Sequence, residues 1–104
     1  MGTAVRGILR DASAVILFRV EAAGDGLLPQ GQWTFPSTTG SLMLGVRSAN
    51  NHQLTWGVAN SALVALSGFM RVFGWWPTTF DIFDGGTQVG TGIIEAVTPA
   101  APRV

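Results

Sequence analysis

Apolar and polar residues along this chain alternate with two different periods, and the densest stretch keeps to neither. From Asn50 to Gly74 apolar side chains fall on nearly every side of a helix: Leu54, Trp56, Val58, Ala59, Ala62, Leu63, Val64, Ala65, Leu66, Phe69, Met70, Val72 and Phe73. At roughly 100° per residue, only Gln53, Asn60, Ser67 and Arg71 converge, as a thin polar stripe. Beside them Gly57, Ser61 and Gly68 form a file of small residues, which costs helix propensity unless another backbone comes close. A helix resting on one sheet keeps a broad wet face. This pattern therefore predicts a helix covered twice, by a sheet and by a second partner. Asn50, with Gln53 three residues later, reads as an N-cap and capping box and puts His52 in the first turn. Arg71 falls in the last turn, where a cation meets the negative helix end, and Gly74 suits the terminating position.

The remaining segments read mostly with period two. Ala14 to Ala22, AVILFRVEA, is expected as the first strand, with Ile16, Phe18 and Val20 on a clean apolar face. Upstream, Val5, Ile8, Leu9 and Ala12 share one side, which fits a short helix or an extended arm. Gly24-Asp25-Gly26 is a turn, Leu27 to Gly31 is irregular around Pro29, and Gln32 to Phe35 forms a short strand stopped by Pro36. Ser41 to Arg47 follows, with Leu42, Leu44 and Val46 on one face. Thr78 to Asp84 and Thr87 to Val97 make a hairpin across Gly85-Gly86. Gly90 and Gly92 share a face of the second strand, the mark of a bulge, a strong twist or a close approach. The tail Thr98 to Val104, with Pro99 and Pro102, is expected as an arm. The expected architecture is α+β in a single domain, residues 1–104. About five mostly antiparallel strands pack on one long central helix, in the order β-β-β-α-β-β after the N-terminal helix or arm.

Composition sharpens this picture. The chain has 104 residues, 47% apolar and only 12% charged, with a formal net charge of zero. Such a balance belongs to a folded chain and to a surface prone to associate. It gives no bulk electrostatic pull toward nucleic acid or toward an anionic membrane. Every basic residue is arginine, which fits paired or interfacial charges and equally a GC-rich coding bias. Without cysteine there are no disulfides, thiolate metal sites or thiol catalysis. Met1 to Arg10 carries two arginines and runs into Asp11 without an apolar core, so no signal peptide is read there. Leu54 to Trp76 has the length of a membrane span but is interrupted by Asn60, Ser61, Ser67 and Arg71.

Candidates for chemistry are few. His52 is the lone histidine, with no serine set beside it as a nucleophile, and is read as a capping or interface hydrogen-bonding group. No metal-binding spacing occurs, and no cofactor is expected. The run DGGTQVGTG lacks the lysine of a phosphate loop and leads into a strand. Trp33, Trp56, Trp75 and Trp76 are the strongest features, since tryptophan is frequent at binding hot spots and at lipid headgroups. The expected function is self-association into a homo-oligomer as a structural or interaction protein, not an enzyme. Its expected interface is Trp56, Gly57, Asn60, Ser61, Gly68, Arg71, Trp75 and Trp76. Two alternatives stand beside it: a membrane-active protein that exposes its apolar helix or a hairpin, and a small carbohydrate-binding module or enzyme using His52, Trp75 or Trp76.

Overall fold

A computed structural model describes residues 2–97, and the expected arm from Thr98 to Val104 lies outside them. Two helices and four strands run in the order α1 (Gly2–Ala23), β1 (Gln32–Pro36), β2 (Leu42–Ser48), α2 (Trp56–Phe73), β3 (Thr78–Asp84) and β4 (Thr87–Ala96), with a 3-10 turn at Pro29–Gly31. The fold is α+β. All strands pair antiparallel in the order β1-β2-β4-β3, and both helices lie on one face of that sheet. The helices are antiparallel to each other. Ser13 of α1 meets Asn60 near the start of α2, while Arg6 lies beside Trp75 just past its end. Helix–strand–strand thus occurs twice along the chain, and the second strand of each half lies at the centre of the sheet.

The segment expected as the first strand, Ala14 to Ala22, is instead the second half of α1. Val5, Ile8, Leu9, Ala12 and Ile16 follow one another at helical spacing and are all buried, with Val20 packed against the same core. That stripe binds the whole segment to the sheet, and tertiary packing overrides the β preference of Val, Ile and Phe. Val15, Leu17 and Phe18 imitated an alternating strand because they are apolar residues left exposed on the helix. The sheet consequently has four strands, not five, and α2 is one of a pair of helices instead of a single central one.

The start of α2 also differs from expectation. Asn50 and Asn51 adopt left-handed φ values of 56° and 61°, so neither caps a helix. Thr55 is the N-cap, its hydroxyl accepting from the Val58 N–H at 3.2 Å. The cause is Leu54. It is buried, its N–H donates to Ser48 Oγ at 2.9 Å, and its carbonyl accepts from Leu28 N–H at 3.0 Å. Held from both sides as extended chain, Leu54 delays the helix by several residues. His52 therefore sits in an exposed loop, donating its N–H to the Ala49 carbonyl.

A second acceptor reaches the same helix end. Asp25 Oδ1 accepts from Gly57 N–H at 2.9 Å and from Gly26 N–H at 2.8 Å, setting a carboxylate at the positive end of the helix. A side chain at Gly57 would place its Cβ 2.5 Å from Asp25 Oδ2, so the small residue is required by this contact within the chain. The helix stops at Gly74, whose N–H bonds Met70 O at 2.7 Å and whose φ of 113° excludes other residues without strain.

The core lies between helices and sheet. Leu42, Leu44, Val46, Ile82 and Ile94 face the buried stripes of α1 and of α2, the latter being Trp56, Ala59, Leu63 and Met70. Phe80 lies across the strand from Gly92, and a side chain at Gly92 would overlap the tip of its ring. Gly90 is similarly close, 2.8 Å from the Arg47 carbonyl and 3.2 Å from Leu54 Cδ2 for an added Cβ. The pairing of β3 with β4 shifts register between Ile82 and Phe83, the irregularity that the glycines announced. The opposite sheet face is mostly polar, with Arg47 Nε on Thr91 Oγ1 at 3.4 Å and Gln88 Nε2 on Asp81 Oδ1 at 3.2 Å.

Candidate functional site

The chemistry of this chain concentrates on the two flanks of α2. Trp56, Ala59, Leu63 and Met70 are buried and Val58, Ala62 and Leu66 pack against the same core, while Val64, Ala65, Phe69, Val72 and Phe73 are uncovered in a single chain. By length and composition alone the helix could cross a membrane.

On the flank toward β3, Phe69 and Phe73 stack with ring centroids 4.6 Å apart, and Trp76 meets Phe69 edge-on at 6.3 Å. Phe73 is 65% exposed, Val72 75% and Phe83 56%. Between α2 and β3 runs a groove of about 390 Å³, lined by Ala62, Ala65, Leu66, Phe80 and Phe83. Since β3 is an edge strand, a free row of backbone donors and acceptors lies alongside this apolar stripe.

On the flank toward α1, a groove of about 480 Å³ runs between the helices. Arg6 and Arg10 enter it from α1 and Arg71 from α2; Ser13, Ser67 and Trp75 complete the walls, and Leu9 and Val64 supply apolar surface. The Arg6 guanidinium lies 6.0 Å from the Trp75 ring centroid. Across Gly68 the groove is open, with nothing near the position of an added Cβ. At the other end of the helix pair the Arg19 guanidinium stacks 4.7 Å over the buried Trp56 ring.

The residues expected at an interface separate into inward and outward groups. Trp56 is 4% exposed and packs edge-on against Trp33 at 5.3 Å, so it belongs to the interior of this chain. Gly57 serves the Asp25 contact, and Asn60 Oδ1 accepts from Ser13 Oγ at 2.6 Å between the helices. Ser61 is exposed and bonds back to the Gly57 carbonyl at 3.0 Å. Gly68 and Arg71 lie on the surface, Trp75 is half-buried, and Trp76 is exposed. His52 is remote from both flanks, in a shallow depression with Gln30, Ser48 and Gln53. Among the described residues no three His, Asp or Glu side chains gather as a metal site.

Sequence reasoning missed Arg6, Arg10, Phe83 and the β3 edge. The spacing of Arg6, Arg10 and Ser13 was a usable signal, because residues three and four apart share a helix face. Its meaning depended on α1 being one continuous helix lying antiparallel to α2. Comparison with protein-family models, curated proteins and solved structures finds no match to this chain, so function is read from its own geometry.

Proposed function

We propose that this protein is a self-associating structural module, a homodimer joined along the β3 edge and the adjoining flank of α2. The observation that carries the reading is the coincidence of an exposed aromatic stripe, Phe69, Phe73, Trp76 and Phe83, with the longer free edge of the sheet. The stripe from Ser61 to Phe73 extends about 18 Å along α2 at about 1.5 Å per residue. A large apolar patch beside a sheet edge is the usual mark of an association surface. The other edge, β1, is shorter and ends in Pro36, which protects it.

A two-fold axis perpendicular to the sheet would pair β3 with its copy and extend four strands to eight. Centring the pair on Phe80 sets Thr79 of each copy opposite Asp81 of the other. Centring it on Asp81 would set two carboxylates face to face, which is destabilising. The Phe80-centred register is therefore favoured, and it brings the two α2 flanks together over the seam.

Light scattering coupled to size exclusion across a range of protein concentrations tests this reading. The expected result is a dimer for the native chain and a monomer for Phe73→Glu, with an unchanged circular dichroism spectrum. A native chain that is monomeric at every concentration would sink the proposal. A Phe73→Glu protein that stays dimeric would move the contact elsewhere. Adding phosphatidylcholine vesicles checks the rival cover for the stripe: a monomer that sediments with them through Phe73 would make lipid the partner instead.

A further inference from the structure

We infer that the groove between α1 and α2 is a binding site for a phosphate monoester carrying an apolar body. The argument begins with charge. The chain as a whole is neutral, yet three of its six basic residues line this one depression. The only carboxylate bonded to any of them among the described residues is Asp11, whose Oδ1 is 3.2 Å from Arg10 Nε. Arg6 and Arg71 thus hold their guanidinium donors without an ion pair among the described residues. Opposite charges facing each other across a helix pair attract, and like charges repel. Here Arg6 and Arg10 approach from one helix and Arg71 from the other, so an anion placed between them gains from both sides.

The chemistry of the donors then selects the anion. A guanidinium presents paired N–H groups matched to two oxygens, and several such forks suit a dianionic phosphate better than a single carboxylate. Ser13 and Ser67 hydroxyls stand in the same walls as further donors, although Ser13 already donates to Asn60 Oδ1. The rest of the groove selects what the phosphate is attached to. A depression of about 480 Å³ lies within the range of small-molecule sites and is far larger than a bare phosphate. Leu9, Val64 and Trp75 offer apolar surface for the remainder of the ligand. Val64 is itself exposed, so this apolar surface is open to a ligand from solvent. A phosphorylated amphiphile satisfies both halves, whether it arrives as a soluble ester or as the headgroup of an anionic lipid. This flank of α2 faces away from β3, so the site does not depend on the proposed dimer contact.

The test uses the intact chain and three soluble probes: dihexanoyl phosphatidic acid below its micellar concentration, dihexanoyl phosphatidylcholine, and inorganic phosphate. Binding is followed by calorimetry and by tryptophan emission, since Trp75 lies in the groove. The phosphatidic acid should bind, and the affinity should fall about ten-fold or more in Arg6→Gln and in Arg71→Gln. Arg47→Gln, on the opposite sheet face, should bind as the native chain does. All three positions are exposed, so unchanged melting curves will separate lost binding from lost fold. Co-sedimentation with phosphatidylcholine vesicles, with and without phosphatidic acid, distinguishes the sources. Arginine-dependent binding to vesicles only assigns a lipid headgroup, and binding to the soluble ester only assigns a soluble ligand. Equal affinity for inorganic phosphate would overturn the apolar half of the inference. Absence of binding in both soluble and vesicle arms, or binding indifferent to Arg6 and Arg71, would overturn it altogether.

Discussion

Replacing Gly92 with alanine tests the tightest packing in the molecule. Phe80 and Gly92 are cross-strand partners, and the ring of Phe80 occupies the space that a side chain at Gly92 would take. The backbone at Gly92 does not require glycine for its φ, so the whole penalty arises from the ring. Phe80 would have to swing off the core face, losing the contacts of a half-buried aromatic. Burying a full phenylalanine side chain is worth about 1.5–3 kcal/mol, and overpacking a core costs about 1–3 kcal/mol. Gly92→Ala should therefore cost about 2 kcal/mol, or a fall in Tm of about 8–16 °C. Phe80→Ala alone should cost about as much. In the Phe80→Ala background the clash is gone, and the alanine then narrows the unfolded ensemble for a gain of about 0.4–1 kcal/mol. Urea denaturation of the four proteins in a double-mutant cycle should thus give a coupling of about 2–3 kcal/mol. If Gly92→Ala costs the same with and without the Phe80 ring, the reasoning fails.

The entry to α2 offers further measurements by the same method. Asp25→Ala should cost about 1 kcal/mol, because it removes both a hydrogen bond and a negative charge from the helix start. Gly57→Ala should lose much of the same contact, so the double variant should be little worse than either single one. Thr55→Ala should cost about 0.5–2 kcal/mol, because the Val58 N–H loses its acceptor; no measurable loss would mean that this hydroxyl does not hold the helix start. Ser13→Ala leaves Asn60 Oδ1 without its 2.6 Å donor and should cost about 1 kcal/mol by thermal melting; no loss at all would mean water replaces the hydroxyl at once.

Much of the sheet was legible because its strands carry both alternation and turn residues. Thr78 to Asp84 ends at Gly85, and Leu42, Leu44 and Val46 take alternate places on a buried face, so local chemistry and tertiary demand agree there. Disagreement arose where burial is incomplete. Val15, Leu17 and Phe18 are apolar yet exposed, and they hid the helical stripe that runs through Ile16. The helix start was misplaced for a different reason: Leu54 is fixed by Ser48 and Leu28, neither of which the local pattern of Asn50 to Gln53 reveals. The cationic groove was beyond sequence reading because Arg6 and Arg71 become neighbours only when the two helices lie antiparallel.

The central position of β4 has a consequence for how the chain acquires its structure. This strand is the last of the described elements to be synthesised, yet it alone joins β3 to β2, with Leu42 waiting for Ala96 to complete the seam. A ribosome will have released α1, both β1 and β2, and the whole of α2 before that seam can begin to close. Through this interval the inner edge of β2 and the underside of α2 lack their final cover, and contacts so distant in sequence form slowly. Stalling translation just before Thr87 should therefore leave a nascent chain that is protease-sensitive and bound by chaperones, and release through Val97 should abolish both properties together.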